Sequence, residues 1–261
     1  MNQIAFSIDV EPDLRTGLFK GISEGLYRLE LLMDKYGIKP TLFVTCDCIE
    51  KFPSLFRRFK NKGWEISLHG YRHVRFDELS FEQKEANLKK SIACFKKYLK
   101  IKPLGFRAAQ HSLDEDTLKL LKKYKIVYDS SLNPWNFYHF FIFWKIKINQ
   151  RYNFTNPNIH YRQDILEIPI SSSIMPFSGL TLRVLPESLL KLFFFFIKMK
   201  KFPVFFIHSW DLIELKDSKL YNLCPLEQFL SKLDLLLRYF SKKSKFRKIE
   251  EIYSEFTTNS R

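Results

Sequence analysis

The chain is predicted to be an α/β protein, a distorted (β/α) barrel of about seven units built on parallel strands. Three observations lead there. Short apolar runs alternate with amphipathic helical stretches through the first half of the chain, the pattern of strands joined by crossover helices. No repeat, low-complexity linker or composition break divides the sequence, so residues 1–261 read as one domain. With 261 residues, 46% of them hydrophobic, the chain can bury a core of barrel size.

The first strand is the apolar run from Ile4 to Val10, which closes on two acids, Asp9 and Glu11. Two residues apart on an extended chain, they share a face. Burying both is costly unless a metal or a base role compensates. Ile22, Leu26, Leu29, Met33 and Tyr36 then recur at helical spacing and Gly37 stops the helix. Strands follow at Pro40–Thr45 and Trp64–Leu68, with a short basic helix from Phe52 to Lys62 between them. Ser80 and Gln83 form a capping box for a helix reaching Leu99. Leu104–Arg107 and Ile126–Asp129 are strands flanking a helix over Asp114–Tyr124.

Residues 133–163 break the rhythm and are expected to form an irregular aromatic insertion with one short helix at most. A strand resumes at Ile165–Pro169. A helix over Pro186–Lys200 carries Pro in its first turn, and Val204–His208 is an apolar strand ending in histidine. A long amphipathic helix (Pro225–Tyr239) and a short strand and helix (Phe246–Phe256) complete the pattern.

Composition narrows the function classes. Lys and Arg number 43 against 28 Asp and Glu, a net +15 that favours anionic partners or simply solvated basic faces. No nucleic-acid-binding motif is present, so nucleic acid is not an expected partner. Four cysteines are too few for a disulfide scaffold, and Cys46-x-Cys48 lacks zinc-ribbon spacing. Free thiols in a reducing compartment are expected, and no secretory leader is read at the start. The apolar runs Phe137–Trp144 and Leu189–Ile197 fall short of the roughly 20 residues a spanning helix needs.

In parallel barrels the working side chains sit at the C-terminal ends of strands. That places Asp9, Glu11, His69, His73, Arg107, Asp129 and His208 together. His69 and His73, four apart, can converge on one ion, and either Glu11 or Asp9 can supply a third ligand for a catalytic zinc-type site. The other acid is then free to act as a general base. Arg107 can hold that base ionised and oriented. His208 fits a general acid.

The ordered set resembles the polysaccharide deacetylases of carbohydrate esterase family 4. Phe6-Ser7-Ile8-Asp9-Val10-Glu11 looks like that family's first motif, Leu68-His69-Gly70-Tyr71-Arg72-His73 its second, and Gly105-Phe106-Arg107-Ala108-Ala109 its third. Tyr128-Asp129-Ser130-Ser131 and Phe206-Ile207-His208-Ser209-Trp210 resemble later segments. The resemblance implies metal-dependent hydrolysis of an N-acyl group from an amino sugar. By it, Asp9 is the base, His208 the acid, Arg107 the partner of the base, and Glu11, His69 and His73 the ligands of a divalent cation, zinc first. Asp129 and Trp210 would meet substrate. Two departures stand out. Val10 separates the two acids, which leaves Asp13 as an alternative ligand, and Ala109 stands where the third motif usually has Pro.

Two aromatic segments with basic flanks, Trp135–Lys145 and Leu192–Lys201, suit an anionic membrane surface. A cytoplasmic enzyme, peripheral at the inner membrane surface and acting on a glycan or on a lipid- or nucleotide-linked amino sugar, is the expectation. The competing readings are a metal-independent barrel glycosidase using Asp9 and Glu167, and a non-catalytic basic module at a membrane.

Overall fold

The computed structural model describes residues 2–134, 156–173, 175–215 and 224–258. Among them nine strands form a single sheet: β1 (Asn2–Val10), β2 (Thr41–Val44), β3 (Glu65–Leu68), β4 (Gly105–Phe106), β5 (Tyr128–Asp129), β6 (His160–Arg162), β7 (Ile165–Glu167), β8 (Val204–His208) and β9 (Ser244–Arg247). Their order is β6-β7-β5-β4-β3-β2-β1-β8, with β9 also on β1. Only the β6–β7 pair is antiparallel. Beyond β7 the chain reaches across to β8. The Ser171 amide donates to the Val204 carbonyl at 3.1 Å, and the Val204 amide to Ser171 Oγ at 3.0 Å. The ring therefore closes on a few bonds rather than a full ladder, which is the distortion of the predicted barrel.

The helices are α1 (Leu26–Tyr36, entered through a π-helical turn at Gly21–Gly25), α2 (Cys46–Lys51), α3 (Pro53–Asn61), α4 (Phe81–Leu99), α5 (Glu115–Lys123), α6 (Gly179–Val184), α7 (Glu187–Lys198), α8 (Leu226–Ser241) and α9 (Ile249–Thr258). The capping box of α4 is formed by Ser80 and Gln83 as predicted. Helices α2 and α6 carry too few residues for a periodic signal and were not anticipated. Part of the predicted insertion, His160–Arg162, is strand β6; residues 135–155, including the aromatic run Trp135–Lys145, lie outside the described residues.

Strand periodicity sorts the side chains into two layers. Ile4, Phe6, Ile8 and Val10 of β1, Leu42 and Val44 of β2, and Phe205 and Ile207 of β8 face outward and pack under the helices. Ala5, Phe43, Tyr128, Leu166 and Val204 face the lumen, where Ile249 and Ile252 of α9 seal the base. Above that seal lies a buried polar layer. Glu65 accepts from Thr41 Oγ1, Ser67 Oγ, the Tyr128 hydroxyl and the Glu250 amide, so each buried polar group finds a partner and α9 is tied to the barrel floor.

Gly105 is the register partner of Tyr128, and the Tyr128 ring lies directly over it. A methyl group at Gly105 would overlap that fully buried ring. Gly105→Ala is expected to destabilise the fold by about 1–3 kcal/mol or more, read as a lower denaturation midpoint in urea; an unchanged midpoint would contradict this packing.

Candidate active site

The mouth of the barrel is built on residues that continue the lumen-facing phase of the strands: Ser7, Asp9 and Glu11 from β1 and its exit, His69 after β3, Arg107 after β4, and His208 at the end of β8. Asp9 and His208 are register partners on adjacent strands. Arg107 has no exposed surface. Its Nη1 donates to Asp9 Oδ1 at 2.7 Å and to Ser7 Oγ at 3.1 Å, and its Nε and Nη2 donate to the carbonyl and hydroxyl oxygens of Ser130, each at 2.9 Å. The guanidinium lies 4.1 Å from the centre of the Phe43 ring. Burial alone would raise the Asp9 carboxyl. The charge of Arg107, helped by His69 and His208, outweighs it and holds the group below its usual range.

Next to this pair stands a donor triangle. The ligand atoms of Glu11, His69 and His73 lie within 4.8 Å of one another. His69 Nδ1–H donates to the Arg107 carbonyl at 2.8 Å, which leaves its Nε2 facing Glu11 Oε2 at 3.2 Å, able to carry either a proton or a cation there. His73 Nε2 reaches the same oxygen at 2.7 Å. Glu11 Oε1 accepts from Trp210 Nε1–H at 3.1 Å. Burial pushes Glu11 up, but the two imidazoles and the charge of His208 overcome it and hold it well below the usual carboxylate range. A lone pair pointed at a buried carboxylate is repulsive unless a proton or a cation lies between them. Two imidazoles, one carboxylate and a fixed tautomer fit a divalent cation.

On the opposite side His208 stacks on Trp210, with ring centroids 4.1 Å apart. Its Nδ1 faces Asp211 Oδ2 at 3.5 Å, and its backbone amide donates to the same oxygen at 2.8 Å. Arg183, itself buried, pairs with Asp211 Oδ1 at 3.4 Å. Burial would lower the imidazole, but Asp211 first and Glu11 next push His208 up to about 9. At neutral pH it is a proton donor.

Residues 17–128 match the family model "Polysaccharide deacetylase". Over this stretch, which is less than half of the chain, the sequence is similar to the polysaccharide deacetylases. It is 35% identical over 123 residues to the peptidoglycan deacetylase-like protein FGM2 of Gibberella zeae, a match covering 46% of this chain and 36% of that protein. It is 32% identical over 124 residues to the peptidoglycan deacetylase of Helicobacter pylori, covering 48% and 42%. These matches span less than half the length of either relative. A crystal structure from Mycobacterium smegmatis, of a protein assigned to the polysaccharide deacetylases, superposes with a TM-score of 0.71 at 16% identity over 99% of this chain and 91% of the other, which establishes the shared fold.

The stretch matched to the polysaccharide deacetylase model contains His69, His73 and Arg107, whereas Asp9, Glu11 and His208 lie outside it and reach the same cluster through the barrel. Two residues depart from their expected placement. Asp129 does not line the site. It is in register with Phe106, which packs outward against Phe76, so its side chain is on the helix side of the sheet. Its carboxylate accepts from the Ser131 amide and hydroxyl at 3.0 and 2.7 Å and has no exposed surface. Trp210 reaches the site but has its N–H on Glu11 and its ring on His208, so it positions those two groups. Asp13, the alternative ligand, is occupied by the backbone amides of Lys20 and Gly21 at 2.7 and 2.8 Å.

Sequence reasoning missed Asp211, Arg183, Ser130 and His111. The His208-x-x-Asp211 spacing at a strand exit was a legible signal; Arg183 and Ser130 act across the fold and leave none. If Glu11 completes the donor set, Glu11→Ala removes bound metal from purified protein while Asp13→Ala retains it, as elemental analysis will read; the reverse pattern would move the ligand to Asp13.

Proposed function

We propose that the chain is a metal-dependent hydrolase that removes an N-acyl group, acetyl first, from an amino sugar of a polysaccharide or of a lipid- or nucleotide-linked glycan precursor. The names of the relatives make an N-acetylated amino sugar of peptidoglycan or its precursors the nearest substrate class. One observation carries the reading: an ionised carboxylate fixed by a buried arginine stands beside a three-donor cation site and opposite a protonated histidine.

Glu11, His69 and His73 would hold the cation. A divalent ion bound there, zinc first, supplies Lewis-acid polarisation of an acyl carbonyl and acidifies a water molecule. Asp9 takes the proton from the attacking water as the new C–O bond forms. His208 delivers its proton to the amine nitrogen as the C–N bond breaks, giving a carboxylic acid and the free amino sugar. Arg107 keeps Asp9 ionised and aimed, and Asp211 keeps His208 charged with Nε2 free for donation.

The glycosidase reading fares worse. Glu167 is buried on the outer side of the sheet, and burial with the neighbouring Asp129 carboxylate pushes its pKa well above the usual range. It cannot pair with Asp9 across a glycosidic bond. A purely non-catalytic module gives no reason to retain this many buried charges in one place.

Asp9→Asn is expected to cut acetate release from N-acetylglucosamine oligomers by about 10²- to 10⁴-fold while the circular dichroism spectrum is unchanged; full activity in this variant would sink the proposal. The acid role carries its own pH signature. The protonated form of His208 is present below about pH 9 and lost above it, so turnover falls on the alkaline side. Asp211→Asn removes the largest upward influence on that proton and should move the alkaline limb down by about 1 pH unit or more; an unmoved limb would assign the acid elsewhere.

A membrane-borne substrate is part of the same proposal. Helix α7 buries Leu190, Phe193, Phe194 and Ile197, yet Leu189, Leu192, Phe195, Phe196 and Met199 on its other side are 48–72% exposed. Exposed Lys191 and Lys201 flank them. An apolar stripe edged by lysine fits the headgroup region of an anionic bilayer. No described helix is long and apolar enough to cross a membrane. A cytoplasmic, reducing location suits the four free, buried cysteines. In flotation assays the protein should rise with anionic vesicles, and Leu192→Ser with Phe196→Ser should weaken that association; failure of the unaltered protein to float would remove the membrane from the proposal.

A further inference from the structure

Among the described residues four histidines, not three, gather at the barrel mouth: His69 and His73 of the donor triangle, His208, and His111. His111 lies on a short turn after β4, and its ring meets Phe206 edge-on with centroids 5.6 Å apart. Phe206 meets His208 at the same separation on a lumen-facing position of β8. His111 is therefore at the barrel mouth beside the acid, and it belongs neither to the donor triangle nor to the acid–base pair.

Its tautomer is fixed. His111 Nδ1 is 3.0 Å from the Ser131 carbonyl, which can only accept, so the proton is on Nδ1 and Nε2 carries a lone pair. Among the described residues Nε2 has no hydrogen-bond partner. Burial, reinforced by the charges of Arg107 and His208 and only partly opposed by Asp9, pushes the imidazole down to about 4. The ring is thus neutral at physiological pH, the opposite of His208.

The backbone beneath it is constrained. Gln110 and His111 have φ of 52° and 57°, consecutive non-glycine residues in the left-handed region. Each such residue is held at a cost of roughly 1–3 kcal/mol and persists only where its surroundings fix it. Here they do. The Ala108 amide donates to Ser131 Oγ at 2.8 Å, the His111 amide to the Ala108 carbonyl at 3.0 Å, and Ser112 Oγ to the Ala109 carbonyl at 2.7 Å while accepting from the Phe76 amide at 2.8 Å. Ser131, the anchor of both this turn and the imidazole, is itself held by the buried Asp129 carboxylate.

We propose that His111 is a substrate-binding residue, its Nε2 accepting a hydrogen bond from a sugar hydroxyl next to the acylated nitrogen. Rigid, neutral and an acceptor only, it selects for an O–H donor at that place, and so contributes specificity for a hydroxylated ring over a simple acyl compound. The inference rests on the deacetylase reading above.

The test compares two substrates. For His111→Ala, kcat/KM on N-acetylglucosamine oligomers should fall about 10- to 100-fold, the size of one unsatisfied buried hydrogen bond, whereas kcat/KM on an aryl acetate, which has no hydroxyl, should stay within about twofold. His111→Gln, whose amide oxygen can accept, should recover part of the loss and His111→Phe none. Equal losses on both substrates, or none on the sugar, would overturn the proposal. Nitrogen NMR gives a reading independent of turnover. Adding the oligomers to the Asp9→Asn variant should shift the His111 Nε2 resonance with Nδ1 still protonated, and an unshifted resonance would count equally against it. Failure of the unaltered enzyme to deacetylate any amino sugar would instead overturn the deacetylase reading, and His111 with it.

Discussion

Arg107 is the residue on which the site depends. Its guanidinium, without exposed surface, fixes the Asp9 carboxylate and is itself held by Ser7, by both oxygens of Ser130 and by the Phe43 ring. Its backbone carbonyl sets the tautomer of His69. One residue thereby couples the base to the cation site. Removing one member of a buried ion pair typically costs about 3–5 kcal/mol, so the geometry of base and ligand is bound up with the stability of the barrel mouth.

Opposite electrostatic settings divide the histidines among roles. His69 turns its Nε2 to the cation site because a carbonyl takes the proton on its other nitrogen. His208, backed by Asp211 and through it by Arg183, is kept charged. His111, facing a carbonyl and near two cations, is kept neutral. Three imidazoles within one mouth therefore offer a ligand, a proton and an acceptor: His208 differs in having a carboxylate rather than a carbonyl before its Nδ1, and His69 differs from His111 in having the Glu11 carboxylate before its Nε2.

Much of this was readable in the sequence because it follows strand period. Asp9 and Glu11 share a face, and β1 delivers both to the lumen side of its exit. The same period explains the failure at Asp129. It ends a strand, but Tyr128 is the lumen residue of β5 and Asp129 is one step out of phase, so being at a strand end was not enough. Trp210 reaches the site yet is committed to Glu11 and His208. Arg183 and Ser130 pair with groups far along the chain, and no local pattern announces such partners. His111 escaped because its turn depends on two left-handed residues other than glycine, which composition does not mark. The strands themselves were legible, while α2 and α6 were too short to show a period.

The most direct measurement is X-ray absorption on metal-loaded protein, read together with anomalous diffraction at the metal edge. The expected result is one ion ligated by the Nε2 atoms of His69 and His73 and by a Glu11 carboxylate oxygen, with Asp9 unligated and still paired with Arg107. An ion bound directly by Asp9, or a first shell that contains Asp13 and lacks Glu11, would contradict the division between base and ligand.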